Sequence, residues 1–469
     1  MEIIIENKIR LKQAPSELKD RLISELKIAN PKHAEAVRAG RSTWNVNPFI
    51  YNFDILPDDS LRIPRGYLRN LEAAMVDMGV EGRITDNRPI IEPNYNIGSG
   101  RIRYRPYQYD AVMELTNFEE GVLVAPAGSG KTVIGISLVP LYGLPTLWLT
   151  HTDALARQAV DRINFFLPSL EEEDIGLIGR GKWKVGRMFT VAMVQTLVRR
   201  LKAIHKIKNE FGLIILDEAH HCPASTFMKV VGHFNPCRLY GLTATPYRRD
   251  KLQDLMFQTI GPVVVRIPIE EVEKYGGVMR PTVKYRAFSH YRPVDMSNTA
   301  KIMTDFIMHN DKRNHMVVSD VLDEATQGNI CIVLSNRKAH CEVLYDLLSI
   351  GWDKTGIATG NYTKKYVDEQ IDRLNSGEIT VLVCTDQLLG EGFDYAPLNR
   401  AFLAAPFRAE AKCEQIIGRI QRPAPGKKDA IVYDYVDTNI GVIQNQFYSK
   451  YGACRYAAYE RLGVNIEPY

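Results

Sequence analysis

Short apolar runs alternate with longer stretches of helical apolar spacing along most of this chain. Residues 121–124 are strand-like and lead, through a glycine-bearing turn, into an apolar stretch at 133–141. The pairing of a β-rich run with a helical run recurs at 146–149 with 152–166, and at 189–193 with 194–204. Pure apolar runs follow at 213–216 and 239–242. Strands without a polar face, separated by helices, predict a parallel sheet covered on both sides. Pro262, Pro268, Gly276, Gly277 and Pro281 then break the pattern, so residues 261–281 read as an interdomain linker. A second alternating series lies beyond it. Its strand-like runs are 329–334, 379–384, 400–404 and 430–433; its helical runs are 338–348 and 363–374, the latter closed by Gly377.

The first 96 residues have another texture. Residues 2–5 suit a strand, and 16–28 a helix with Leu18, Leu22 and Leu26 on one face. A turn at 57–60 separates possible strands at 49–55 and 61–63, and 68–78 is helical. Residues 94–100 read as a linker. The expected fold class is α/β: parallel-sheet domains at 101–260 and 281–450, a small α+β domain at 1–96, and a C-terminal tail at 451–469. The small domain suits either substrate docking or a structural cap.

Composition narrows the class. A chain of 469 residues holds two or three domains with real cores. A formal charge of +4 is small for this length, so a nucleic-acid partner needs local basic patches. The seven cysteines show no metal-ligand spacing and read as reduced thiols, which fits a cytoplasmic protein. The amino terminus lacks the marks of a signal peptide, and no stretch is apolar enough to span a bilayer.

Candidate chemistry gathers at predicted strand ends, where open α/β sheets collect ligands. Ala125, Pro126, Ala127, Gly128, Ser129, Gly130, Lys131 and Thr132 follow one strand and open a helix. Glycines let the backbone curl its N–H groups around phosphate, Lys131 suits the terminal phosphates, and the Thr132 hydroxyl suits Mg²⁺. Asp217, Glu218, Ala219 and His220 follow another apolar run. Asp217 can hold Mg²⁺, Glu218 can activate a water, and His220 can sense nucleotide, although such a quartet also suits an acidic helix start. Thr243 and Thr245 end the next strand and could link the nucleotide site to a second domain; a plain strand-ending turn fits them equally. Gln108 sits among interleaved arginines and tyrosines, and its amide could read an adenine edge. In the second half, Thr385, Gly390, Gly392 and Asp394 cluster at a strand end. Gln415, Arg419 and Arg422 have helical spacing and are expected on one face, which suits arginine fingers as well as a solvated basic face. Residues 179–186 are basic and include Trp183; they could touch DNA as a hairpin or form a surface turn.

Together these residues resemble superfamily 2 helicases and translocases. The ordered set is Arg105 to Gln108, the phosphate loop, the Asp-Glu-Ala-His quartet, Thr243 to Thr245, Gly390 to Asp394 and Gln415 to Arg422. The resemblance implies two RecA-like motor domains, with ATP and Mg²⁺ as cofactors. It gives Arg105 and Gln108 to adenine, Lys131 to phosphate, Thr132 and Asp217 to metal, and Glu218 to the attacking water. Gln415 helps place that water, Arg419 and Arg422 act as fingers, and Gly392 and Asp394 join the nucleotide set. Thr243 and Thr245 couple hydrolysis to strand movement; Gln195, Thr196, Thr385 and Gly390 serve coupling or DNA contact. Within the family the chain looks most like the UvsW-like and RecG-like branch, the phage branch-migration helicases. The expected partner is branched or forked DNA, and the expected place is the host cytoplasm if phage-encoded. The alternatives are a double-strand DNA translocase without strand separation and a nucleotide-gated nucleic-acid-binding protein, with RNA the lesser substrate.

Overall fold

The computed structural model describes the chain except residues 220–223, 245–251, 291–298, 391–394, 408–409 and 450–453. It forms two compact units, residues 1–271 and 272–469.

Among the described residues the first unit holds three sheets, one of them a two-stranded ribbon. The larger sheet runs in the order Lys182–Lys184, Ile175–Gly179, Phe189–Met193, Thr146–Thr150, Leu213–Asp217, Arg238–Thr243, Glu120–Val124 and Val263–Arg266. All its pairings are parallel except the Ile175–Gly179 and Lys182–Lys184 hairpin. Strands 146–150 and 213–217 are buried at every position, as a sheet covered on both faces requires. The helix Lys131–Tyr142 is apolar nearly all round and packs within this core. Residues 194–204, expected as one helix, divide at Arg200 into Val194–Arg199 and Leu201–Ile204.

The smaller sheet runs Asp54–Ile55, Leu61–Pro64, Lys8–Lys12, Glu2–Ile5 and Arg83–Asp86. The helices Ser16–Glu25 and Leu68–Met78 cover it through Leu18, Leu22, Leu71 and Ala74. The first helix stops at Glu25 because Lys27–Ala29 is taken up by a separate ribbon with Phe49–Tyr51. The run 49–55 therefore splits between two sheets.

This small domain is joined to the motor domain through a buried interface. Arg65 Nε lies 2.8 Å from Glu120 Oε2, both nearly buried, and Arg65 Nη2 donates to the Cys237 carbonyl at 2.9 Å. Gly66 abuts the backbone of Ile260 and Gly261, where a Cβ would come within 2.3 Å of Gly261 N. Asn52 Nδ2 donates to Gln258 Oε1 at 2.8 Å. The stretch expected as a linker is also fastened: Asn94 N donates to Gly143 O at 2.7 Å, Arg101 N to Phe166 O at 2.8 Å, and Ile97 is buried.

The second unit is a seven-stranded, wholly parallel sheet. Its order is Thr355–Ala358, Val381–Thr385, Cys331–Ser335, Arg400–Leu403, Ile431–Thr438, Thr282–Ser289 and Asn465–Pro468. Thr282–Ser289 falls outside every sequence-based strand because its inward positions are mixed with Lys284 and Arg286. The segment set apart as a tail supplies the helix Arg455–Arg461 and the edge strand Asn465–Pro468. Arg455 is buried against Asp434, Nε to Oδ2 at 2.8 Å, and Tyr459 donates to the same carboxylate at 2.9 Å. Among the described residues no helix is long and apolar enough to cross a membrane.

Candidate active site

Three adjacent parallel strands, Leu213–Asp217, Arg238–Thr243 and Glu120–Val124, end side by side. Their carboxyl ends carry Asp217 with Glu218, Thr243, and the turn of Ala125 to Gly130. The ends are tied by backbone bonds: Ala125 N donates to Thr243 O at 3.0 Å, and Ala219 N to Leu242 O at 3.0 Å.

The turn adopts a conformation its glycines permit. Gly128 and Gly130 have φ of 86° and 83°, in the left-handed region. Gly130 is needed for a second reason: a Cβ there would lie 2.3 Å from Gln108 Nε2. Gln108 is buried, and its Nε2 donates to Ser129 O at 2.9 Å while its Oε1 accepts from Arg105 N at 2.9 Å. Tyr107 Oη donates to the same Ser129 carbonyl at 3.0 Å and accepts from Arg105 Nη1 at 3.3 Å. The Arg105–Gln108 segment thus braces the turn from behind; one Nε2 hydrogen remains beyond these bonds. Pro126 and Ala127 are partly exposed, and Thr132 is half-buried one residue into the helix.

Lys131 points back across the turn. Its Nζ lies 3.3 Å from Ala125 O and 3.6 Å from Glu218 Oε1. Glu218 has φ 51°, a left-handed conformation that costs a side-chain-bearing residue on the order of 1–3 kcal/mol. Burial pushes the Asp217 carboxyl up to about 7; the neighbouring Glu218 charge adds to the rise and Lys131 opposes it. Two carboxyl groups facing one ammonium, with the Ser129 hydroxyl buried and unpartnered among the described residues, form a donor set that suits a phosphate-bound divalent cation. Asp217 and Thr132 are its candidate ligands.

Gln195 and Thr196 lie at a separate cleft of about 630 Å³, beyond the strands Thr146–Thr150 and Phe189–Met193. Gln195 Nε2 donates to His151 O at 2.6 Å, which joins the two segments. Arg180, Arg199 and Arg200 line the same cleft. Sequence reasoning missed Arg199 and Arg200 because they fall inside the run 194–204, which reads as one continuous helix, whereas the chain breaks at Arg200. The hairpin at 179–186 is present, yet Trp183 packs against the motor core, and the Arg200 guanidinium stands 5.7 Å from its ring centroid. Its ring is therefore half-buried.

In the second unit, Thr385 ends the buried strand Val381–Thr385, and Gly390 ends the short helix that follows. Asp386 of that helix forms an ion pair with Lys412, on the helix Glu410–Ile420. Gln415 and Arg419 occupy this helix, both half-buried. Arg422 does not extend their face, because the helix ends at Ile420. Pro423 disfavours helical backbone at the residue before it, which accounts for the early end. Lys427 holds the released carbonyls: Nζ donates to Ile420 O at 2.5 Å and to Arg422 O at 2.8 Å. His220, Thr245, Gly392 and Asp394 lie outside the described residues.

Two protein families match the chain. Residues 101–248 match the Type III restriction enzyme, res subunit, and residues 284–424 the helicase conserved C-terminal domain. A putative ATP-dependent RNA helicase of Acanthamoeba polyphaga mimivirus is 26% identical over 74% of this chain and 65% of its own length. A DNA 3'-5' translocase, XPB2, of Sulfurisphaera tokodaii is 32% identical over 42% of each chain. This chain therefore spans less than two thirds of either relative. The crystal structure of T4 UvsW matches at 18% identity and a TM-score of 0.43, over 100% of this chain and 99% of that one.

Proposed function

The chain belongs to the superfamily 2 helicases, and from that premise we propose that it is an ATP-driven DNA helicase that remodels or unwinds branched DNA. The observation that carries the reading is the meeting of Lys131, Glu218 and Asp217 across the carboxyl ends of a sheet, with Lys131 Nζ 3.6 Å from Glu218 Oε1. Lys131 and the N–H groups of the turn take the ATP phosphates. Thr132 and Asp217 hold Mg²⁺, which when bound neutralises phosphate charge. Glu218 orients the attacking water and accepts its proton, and His220 senses the nucleotide. Arg105 and Gln108 receive the adenine. From the second unit the proposal takes Gln415 to help place the water, Arg419 and Arg422 to stabilise charge on the transferred phosphoryl group, and Gly392 and Asp394 for the nucleotide. Thr243 and Thr245 couple hydrolysis to movement. Gln195, Thr196, Thr385 and Gly390 engage DNA, joined by Arg180, Arg199 and Arg200, through sequence-independent phosphate contacts.

Branched DNA as the substrate, the host cytoplasm as its place and roles in recombination, repair or replication belong to this proposal. They are supported by the motif resemblance and by a small domain fastened to the ATP-binding motor domain. The test compares ATP turnover and strand displacement on four-way junctions, forks, tailed duplexes and RNA duplexes. Turnover stimulated most by junctions or forks, with strand exchange or displacement, is the expected result. Stimulation by blunt duplex without displacement would favour the second reading, a double-strand translocase, which the restriction-enzyme match and the named activity of XPB2 support. Stimulation by RNA alone would overturn the DNA assignment.

A further inference from the structure

Residues 27–51 form an arm of the first unit that the reading above leaves without a task. Its base is the antiparallel ribbon of Lys27–Ala29 with Phe49–Tyr51, in which Ile28 lies opposite Ile50. Those two isoleucines face inward and pack with Leu252, Leu255 and Met228 of the motor domain. Alternation along the strands turns Lys27, Ala29, Phe49 and Tyr51 to the other side, and all four are exposed. The arm is thus anchored on one face and bare on the other. Met228 and Leu255 sit on helices Ala224–Val231 and Gln253–Ile260, which in sequence flank the strand ending at Thr243.

Between the two strands the chain makes an excursion that is closed at its base. Asn30 Nδ2 donates to Asn47 O at 2.7 Å, and Asn30 N to Pro48 O at 2.9 Å. The excursion contains the helix Pro31–Arg38, capped by Asn30, and then Trp44. Trp44 is 93% exposed, an unusual position for the side chain with the most apolar surface to bury. The arm also carries Lys27, Lys32, Arg38 and Arg41 against one carboxylate, Glu35. Glu35 pairs with Arg41 at 3.1 Å, and Lys27 Nζ lies 4.1 Å from the Phe49 ring centroid. Lys32 and Arg38 have no ion-pair partner among the described residues.

Exposed rings interleaved with uncompensated cations are the chemistry of single-strand binding: the cations take phosphates and the ring faces take bases of any identity. We infer that this arm contacts the unpaired DNA at a branch point, with Trp44 stacking on a base and Lys32 and Arg38 holding its phosphates. The inference rests on the branched-DNA reading and names the part that recognises the branch. A protein partner seated on the rings would have less use for so one-sided a charge.

The experiment uses the full chain. Trp44→Ala, Trp44→Phe and the pair Lys32→Glu with Arg38→Glu are compared with the parent for binding to a fork with single-stranded arms and to a blunt duplex. ATP turnover without DNA reports folding. Trp44→Ala is expected to bind the fork about ten-fold more weakly, with duplex affinity and basal turnover unchanged. Trp44→Phe should keep most of the fork affinity, and the charge reversals should weaken fork binding and flatten its salt dependence. Parental fork affinity in Trp44→Ala would overturn the inference and leave the rings to a protein partner. An equal loss on fork and duplex would overturn it as well, since the effect would not arise at unpaired bases. Failure of the proposed function is a different result: turnover of the parent protein would be indifferent to every DNA.

Discussion

Lys131 Nζ and Glu218 Oε1 are 3.6 Å apart across the mouth of the phosphate-binding turn, although they come from strands that are not neighbours in the sheet. The ammonium is the charge that offsets the buried Asp217 carboxyl and the half-buried Glu218 carboxylate, and it is also the group that would meet the phosphates. Lys131→Ala is therefore expected to reduce ATP turnover by at least about 100-fold, the scale for losing one transition-state donor. Within the first unit the proposed DNA-contacting residues Arg180, Gln195, Thr196, Arg199 and Arg200 line a cleft that does not include Lys131, so DNA affinity should be largely retained. Phosphate release and equilibrium DNA binding, measured on the same preparation, check both halves.

Gln108 and Gly130 make a second linked pair. The Gln108 amide lies where a Cβ on residue 130 would be, and it holds Ser129 O. Gly130→Ala should abolish nucleotide binding, because it adds a collision to a backbone with φ of 83°. Gln108→Ala removes the brace and one of the two proposed adenine contacts but adds no collision, so it should weaken nucleotide binding without abolishing it. Combining the two relieves the collision and leaves the backbone strain. The double variant should therefore remain well below Gln108→Ala when titrated with a fluorescent ATP analogue.

The buried Arg65–Glu120 pair makes the small domain inseparable from the motor. Burial pushes the Glu120 carboxyl up to about 7, and the Arg65 guanidinium opposes that rise, so ionisation of Glu120 depends on Arg65. Arg65→Ala should destabilise the first unit by about 3–5 kcal/mol, because it strands the Glu120 carboxylate. The double substitution Arg65→Met with Glu120→Leu should recover much of that loss; a denaturant series reads both. For the same reason, deleting residues 1–96 would bare this interface. A point substitution such as Trp44→Ala is the cleaner probe of the small domain's role.

The motor sheets were legible because parallel strands buried on both faces leave unbroken apolar runs, as at residues 213–216. The phosphate-binding turn was legible because its backbone demands glycine at Gly128 and Gly130. Contacts between distant segments left no such trace. Nothing local marks Arg65 as the partner of Glu120, Gly66 as the point where two backbones touch, or Ile28 as a ribbon residue rather than the end of a helix. Arg422 looked helical by spacing alone; Pro423, the next residue, was the signal that the helix had to stop.

His340 supplies a pH dependence away from the catalytic groups. Its ring is buried between Ser335 Oγ, 3.1 Å from Nδ1, and Asn314 Oδ1, 3.0 Å from Nε2. Asn314 Nδ2 donates to Met308 O at 2.8 Å, which leaves its Oδ1 to accept from a neutral Nε2–H. Burial depresses the imidazole from 6.5 to about 3; the Arg313 charge and His309 add to the fall, and Asp437 opposes it. Between those two values the unfolded chain binds a proton that the folded chain refuses. The contribution is thus complete above about pH 6.5 and is lost progressively as the pH falls toward 3. Amide protection in the strand Cys331–Ser335, with each rate taken relative to intrinsic exchange at that pH, should accordingly fall on acidification across this window. His340→Gln can satisfy both hydrogen bonds without titrating, so it should flatten the dependence even if it lowers stability at neutral pH. An unchanged acid slope in that variant would place the sensitive group elsewhere, the first alternative being Asp437, whose carboxyl the Arg313 guanidinium holds below its ordinary value against the effect of burial.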